Sequence, residues 1–244
     1  MSGRAEFTDA VLVRSVDYGE SDRIVTLLTR DHGKVALIAR GARRSKKRFQ
    51  GSLEPFLVVS AEIALGKGEV GRLSQAIIKQ AFPKILSSLA RMSAAGLALE
   101  LVRDAVPVRA PDARVFHATT TMFETCEEVD GTERELVLAF ACRLVAVLGF
   151  APQLSTCGRC GKEAPRDKSA YFDPRMGSVV CRACGGGPLH LSAEARARML
   201  ASFGSKWPDM AKAAWPAKTA LIVEKVLTAV LSEHLGRHVS LSHG

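Results

Sequence analysis

Two close cysteine pairs constrain this chain more than any other feature: Cys157-x-x-Cys160 and Cys181-x-x-Cys184, separated by 20 residues. Paired CxxC turns present thiolates at the spacing a tetrahedral ion needs, and a gap of this length leaves room for a short hairpin between the two knuckles. Gly158, Gly161 and Gly185 to Gly187 ease the tight turns around the sulfurs. Disulfides and a thioredoxin-like redox pair are the competing readings. Placement in the cytoplasm speaks against the first, and duplication of the pair against the second. A four-cysteine zinc ribbon is therefore expected, with Cys157, Cys160, Cys181 and Cys184 holding one Zn²⁺. Four thiolates leave no open position for water, so the ion is expected to be structural rather than catalytic. Cys126 and Cys142 fall in helical stretches and read as buried small hydrophobes. His190 lies close enough to substitute as a ligand, but four cysteines already complete the set.

At 244 residues the chain can bury one large core or two to three small ones. Hydrophobic residues make up 47% and charged residues 24%, ordinary for a globular protein, and no apolar run approaches the roughly 18 residues of a membrane span. Met1 to Asp9 carries charges and no apolar stretch before a small-residue cleavage site, so it does not read as a secretory signal. Cytoplasmic placement without membrane contact is expected. The net charge of +9 is uneven: residues 1–85 hold 15 Lys/Arg against 9 Asp/Glu, residues 86–156 hold 6 against 9, and residues 157–244 hold 13 against 7. Two basic ends flanking an acidic middle suggest that particular surfaces meet a polyanion.

Along the chain, Phe7–Val16, Ile24–Thr29, Lys34–Ala39, Leu53–Leu65 and Val70–Ala81 are β-rich runs separated by turn-formers. Five strands of this length suggest a small barrel of the OB or SH3-like kind, and spacing does not separate the two. From Pro83 the period becomes helical: Leu86–Val106, Pro111–Val129, and a third segment opened by Thr132 and Glu135 as a capping box, with Leu136, Phe140, Leu144 and Leu148 on one face and Gly149 at its end. Helices resume at Ser192, an expected N-cap, and across Lys218–Leu235. The expected organisation is α+β and multidomain: a five-stranded barrel over residues 1–82, and a helical domain over 83–154 and 191–244 with the ribbon, 155–190, inserted in it.

Six cations crowd the nine residues from Arg40 to Arg48. Charge this dense neutralises several phosphates and releases counterions, giving a salt-sensitive grip on DNA or RNA; a solvated loop is the bland alternative. The run lies between two expected strands, where Phe49 or Tyr18 can offer a ring for base stacking or be core. Gly66-x-Gly68-x-x-Gly71 matches the dinucleotide fingerprint but leads into a β-rich run rather than a helix, so a hairpin turn is the better account. G-x-S-x-G, H-E-x-x-H and P-loop motifs are all missing. The zinc-deaminase pattern fails too, because neither CxxC follows a proline and no H-x-E occurs. A zinc-dependent hydrolase would need an open metal position. A ribbon-containing transcription or RNA-associated factor remains as the alternative.

Asp17-Tyr18-Gly19-Glu20-Ser21-Asp22-Arg23-Ile24, Leu27-x-Thr29, Gly33-Lys34, Ala39-Arg40-Gly41-Ala42-Arg43-Arg44 and Leu53-x-Pro55-Phe56 resemble the RecO family of bacterial recombination mediators. Leu148-Gly149-Phe150-x-Pro152-x-Leu154-x-x-Cys157 resembles that family's approach to its zinc module. The resemblance is densest in residues 8–80 and 136–190 and looser in the C-terminal helices. It implies an N-terminal OB-fold, a helical domain and a zinc ribbon in a non-enzymatic DNA repair protein of the RecF pathway, working at the bacterial nucleoid. Such a protein binds single- and double-stranded DNA, anneals complementary strands, and helps load recombinase onto strands coated by single-stranded DNA-binding protein (SSB). The implied partners are RecR and the SSB C-terminal tail, which docks on the helical domain. Arg14, Arg23, Lys34, Arg40, Arg43, Arg44, Lys46, Lys47 and Arg48 are the candidates for phosphate contact. Arg23 and Lys34 rest on family-motif position plus charge, and the loop cations on charge density. Any of these could instead be salt-bridged, for example to Asp22 or Asp31.

Overall fold

The computed structural model describes residues 4–45 and 47–241. By mutual contacts the chain divides into two compact units, residues 1–95 with 99–127, and residues 96–98 with 128–244. The first unit is built on β1 (Glu6–Tyr18), β2 (Asp22–Thr29), β3 (Gly33–Ala39), β4 (Leu57–Ala64) and β5 (Val70–Ala81). Every second residue points inward, as a pleated strand requires. Val25 and Leu27, Val35, Leu37 and Ala39, and Val59, Ala61 and Ile63 thus form one core. The strand order is β1-β2-β3-β5-β4, closing into a barrel as β4 pairs with β1. The β3–β5 seam is parallel and the other four are antiparallel. This is the Greek-key closure of an OB-fold. It decides between the two small barrels that strand spacing leaves open.

Long β1 serves two seams, pairing Glu6–Val11 with β4 and Ala10–Tyr18 with β2. A register shift between Leu12 and Arg14 bends it from one to the other, the usual work of a bulge. The fourth strand starts at Leu57 rather than Leu53. Phe56 takes a left-handed φ of 61°, and Pro55 has no N–H to give a ladder. Gly66 to Gly71 is the β4–β5 turn and strand start, not a dinucleotide loop. A Cβ on Gly71 would sit 2.8 Å from both the Ala64 carbonyl oxygen and Leu37 Cδ2, so glycine is required there for strand approach.

Helix α1 (Pro83–Leu86) and α2 (Leu89–Ala105) divide what reads in sequence as one helix from Leu86. The break falls where Ser88 turns extended and its hydroxyl accepts the Arg91 amide at 3.4 Å, an N-cap that starts α2 afresh. Helix α3 (Ala113–Glu128) buries Phe123 edge-on against Phe82 and Phe56, with ring centroids 5.4 and 5.8 Å apart.

The second unit is centred on α4 (Glu133–Val147), with α5 (Ala193–Ser202), α6 (Trp207–Ala211) and α7 (Ala217–Leu235) packed in the same unit. Leu136 through Cys142 are buried without interruption, so α4 is wrapped on all sides instead of presenting one apolar face. The expected capping box does not form. Thr132 occupies the N-cap without a side-chain bond, and the buried Glu135 carboxylate accepts the Trp215 amide at 3.2 Å. That acceptor satisfies a buried N–H that would otherwise be orphaned, which outweighs a cap on a helix end. The Ser192 cap does form, its hydroxyl accepting the Ala195 amide at 3.2 Å. Between α4 and α5 lies a small sheet of β6 (Ala170–Asp173), β7 (Ser178–Val180) and β8 (Leu189–Leu191), in the order β7-β6-β8. Among the described residues no helix is long and apolar enough to cross a membrane.

Phe49 and Leu53, from the β3–β4 connection, lie inside the barrel core at 3% and 4% exposure. Phe49→Ala should therefore destabilise the first unit by about 3–5 kcal/mol. It should also speed tryptic cleavage between residues 40 and 48; thermal unfolding and timed proteolysis check both.

Candidate nucleic-acid interface and metal centre

The basic run leaves β3 at Arg40 and is held by its backbone rather than left to solvent. The Gly41 amide donates to Asp22 Oδ1 at 2.7 Å, the Arg43 amide to the Ser21 carbonyl at 3.0 Å, and the Ala76 amide to the Arg48 carbonyl at 3.0 Å. The Gly41 amide, with the Ser21 hydroxyl, holds the Asp22 carboxyl below its ordinary range. Asp22 thus fastens the loop and does not neutralise Arg23. Arg23 instead pairs with Asp17 at 3.3 Å and Glu54 at 3.6 Å, and Asp31 bonds Thr8 and Arg30. Arg43 meets Asp17 at 3.5 Å and Arg44 meets Glu20 at 3.8 Å, both exposed pairs worth little in water. Arg48 donates to the Arg40 carbonyl at 2.8 Å and lies over the Phe49 ring, 5.2 Å from its centroid. Arg40, Arg44, Lys47 and Arg48 are exposed, and the Arg43 side chain is 44% exposed. Lys46 lies outside the described residues.

Lys34 stands apart from this set. It is 7% exposed and its amine donates to the Arg103 carbonyl. Burial pulls its pKa down, and the Asp104 carboxylate offsets this only in part. It anchors the barrel to α2 within the first unit and offers little surface to a phosphate. Phe49 is likewise core, leaving Tyr18, 55% exposed, as the available ring.

Pairing extends the basic loop into a platform on the sheet. Arg14, Val16 and Tyr18 alternate on the outward side of β1. Val16 faces Ile24, Ile24 faces Ile38, and Ile38 faces Arg72, so one row crosses β1, β2, β3 and β5. The neighbouring row is Arg14, Thr26, Ala36 and Val70. An apolar strip with Tyr18 near one end is thus bordered by Arg14, Arg72 and, two residues beyond Ile38, Arg40. Aromatic and apolar surface edged by cations is what a single strand uses, bases on the sheet and phosphates on the rim. Arg72 escapes a reading of the sequence because only the parallel β3–β5 seam brings it beside Ile38. Strand alternation around Val16 and Ile24 is the one local signal available.

In the second unit the four expected ligands converge: the sulfurs of Cys157, Cys160, Cys181 and Cys184 all lie within 4.8 Å of one another. The Cys160–Cys181 separation is 3.8 Å, far beyond a disulfide and equal to the edge of a tetrahedron with metal–sulfur bonds of about 2.3 Å. Each knuckle closes on its own carbonyl, Gly161 donating to Cys157 at 2.9 Å and Cys184 to Cys181 at 2.9 Å. Amide groups of Cys181, Cys160 and Arg159 aim at the Cys157 sulfur and bring its pKa down to about 6. Bonds with the Cys181 and Cys160 thiols, and burial, push Cys184 up to about 12. A metal ion binding all four as thiolates would displace the protons they carry. The cluster can therefore hold one metal ion in a closed thiolate shell. His190 is on β8 against the edge of Tyr171, with centroids 5.9 Å apart, and is not in the cluster. Cys126 and Cys142 are fully buried, and burial raises the Cys142 thiol.

Comparison with known proteins gives two family matches, Recombination protein O N terminal over residues 1–82 and Recombination protein O C terminal over residues 86–242. The DNA repair protein RecO of Anaeromyxobacter dehalogenans strain 2CP-1 is 35% identical over 243 residues, covering 97% of this chain and 94% of that protein. The protein of the same name from Geobacter sulfurreducens is 38% identical over 186 residues, 76% of this chain and 75% of that one. That of Myxococcus xanthus is 37% identical over 177 residues, 72% and 71%.

Because each thiolate closes the same shell, Cys160→Ser or Cys184→Ser should lower bound metal from about one ion per chain to a small fraction of that. Elemental analysis of the purified protein checks this. A strong chelator should raise hydrogen exchange in residues 155–190 and leave the barrel strands as protected as before.

Proposed function

The chain belongs to the RecO family of DNA repair proteins, and on that premise we propose that it binds single- and double-stranded DNA and anneals complementary strands without bond-making chemistry. The observation that carries this reading is the platform of the first unit: Val16, Tyr18, Ile24 and Ile38 edged by Arg14, Arg40 and Arg72, continuous in sequence with Arg43, Arg44, Lys47 and Arg48. Annealing requires two polyanions to approach with their repulsion screened, and a dense row of cations meets that need. Stacking on Tyr18 and the apolar strip accepts any base, which suits a protein that must pair arbitrary sequences. Arg23 contributes from the rim once a phosphate competes with Asp17 and Glu54. Lys34 is left out of the interface.

The four cysteines hold one zinc ion on this reading. An all-thiolate tetrahedral set favours zinc over the oxygen-seeking divalent ions, and the closed shell makes the ion a structural one. The protein acts in the bacterial cytoplasm at the nucleoid, as part of the RecF pathway. It helps load recombinase onto SSB-coated strands together with RecR, and takes the SSB C-terminal tail on its helical domain. These partners follow from the family resemblance.

Replacing Arg43, Arg44, Lys46, Lys47 and Arg48 together with alanine should weaken single-strand binding and flatten its logarithmic salt dependence by about 0.7 for each phosphate no longer neutralised. Annealing of complementary oligonucleotides, bare and SSB-coated, should slow in the same variant. An unchanged salt slope would remove the loop from the interface. A strong preference for RNA would favour the transcription or RNA-associated reading instead.

A further inference from the structure

We propose that the cysteine-bearing module carries a second nucleic-acid site, a cavity that takes one or two nucleotides of a single DNA strand with the base inward. The proposal rests on the annealing reading above and deepens it, since a chain that pairs two strands gains from a separate hold on each. The cavity is about 620 Å³, within the roughly 300–1,000 Å³ of small-molecule sites. Ala170 and Ala183 line it with Tyr171 beside them, and two of the four clustered cysteines, Cys157 and Cys181, form part of the same wall. Lys162, Lys168 and Arg182 also line it, against Glu163 as the one acid. None of these three cations makes an ion pair among the described residues. An aromatic ring with a guanidinium over it, beside two alanines, suits a planar base better than a branched side chain. Arg182 already sits over Tyr171, its Cζ 5.6 Å from the ring centroid, and donates to the phenol oxygen at 3.5 Å.

The wall of the cavity is built in advance. Arg196 of α5 is 1% exposed and donates to the Ala164 carbonyl at 2.6 Å and the Lys168 carbonyl at 3.1 Å. Its Nε has no partner, and burial, followed by the charge of Arg166, lowers its pKa. A guanidinium buried on two carbonyls, with only the charge of Asp167 nearby to offset it, is a costly device. Its effect here is to fix the segment from Ala164 to Lys168, one side of the cavity. Arg196 is therefore a positioning residue for the site. A divalent ion on four thiolates, two of them in the cavity wall, would leave two net negative charges, which together with Glu163 balance the three cations at long range. Burial of the base, with directed donors to its phosphates, thus carries more of the affinity than bulk charge.

The test uses the full-length, metal-loaded protein and an oligothymidylate in which 5-iodouracil replaces several bases, irradiated and mapped by mass spectrometry. Adducts are expected at Tyr171 as well as on the barrel near Tyr18. Ala183→Trp, at an exposed position between Cys181 and Cys184 in the second knuckle, should fill the cavity and reduce the Tyr171 adduct at least tenfold while leaving the barrel adduct and the bound metal, measured by elemental analysis, unchanged. Lys168→Glu should reduce the Tyr171 adduct as well, which guards against a folding defect particular to the tryptophan. Adducts on the barrel alone would overturn this proposal and leave the annealing reading standing; adducts on neither would overturn both. Persistence of the Tyr171 adduct in Ala183→Trp would overturn the cavity as the site. So would an acidic peptide that binds more tightly than the oligonucleotide and is lost in that variant, since the occupant would then be a protein.

Discussion

The first unit depends on a short parallel seam, where Ala36, Leu37 and Ile38 pair with Val70, Gly71 and Arg72. Antiparallel neighbours can be joined by a tight turn, but a parallel pair requires the chain to travel to the far end before returning. That journey is the basic connection and β4. The seam closes the barrel only because residue 71 has no side chain to strike Leu37 and the Ala64 carbonyl. Closure in turn sets Arg72 beside Ile38 and launches Arg40 from the end of β3. The cationic edge of the platform is thus a consequence of how the barrel shuts.

Concentrating positive charge on one connection opposes folding, and the structure shows what offsets it. Phe49 and Leu53 bury their side chains in the barrel, each gaining on the order of 1.5–3 kcal/mol. Asp22 and the Ser21 carbonyl take the amides at the start of the run. Arg40, Arg43, Arg44, Lys47 and Arg48 stay exposed, where water and salt screen their repulsion. Lys34 shows the opposite use of the same charge. Its amine is withdrawn from water onto a carbonyl, where it holds α2 against the barrel within the unit.

The strands and the cysteine centre are legible in the sequence because each follows a local rule. Alternation marks the inward residues of β2, β3 and β4, and CxxC spacing survives as sulfurs within 4.8 Å. What stays hidden depends on partners distant in sequence. Glu135 reads as a capping-box acid three residues after Thr132, yet it serves the Trp215 amide, 80 residues away. Leu136, Phe140, Leu144 and Leu148 suggest one apolar face, while neighbours from α5, α6 and α7 bury the others. Phe49 and Tyr18 look equivalent as aromatics near basic residues; only barrel closure separates the buried ring from the exposed one. The platform itself has no sequence motif, since its row runs across four strands.

The cysteine module raises a different question, namely what holds together a sheet with strands of four, three and three residues. Phe172, Val179, Val180 and Leu191 are its fully buried apolar side chains, too few to support a fold alone. One edge of this sheet is secured by the second unit: β8 packs on α7, and Arg196 of α5 grips the segment before β6. The other edge, β7, is bonded through its backbone to Gln153 and Gly158 and leads directly into Cys181, where a metal-bound thiolate shell would add closure that apolar contacts do not. A metal there would stabilise the knuckles and the β7 edge while β6 and β8 remain anchored to helices. A cation bound in this closed shell has no position left for a reacting group. Its contribution would lie in the shape it gives to the surface between the knuckles and the segment held by Arg196.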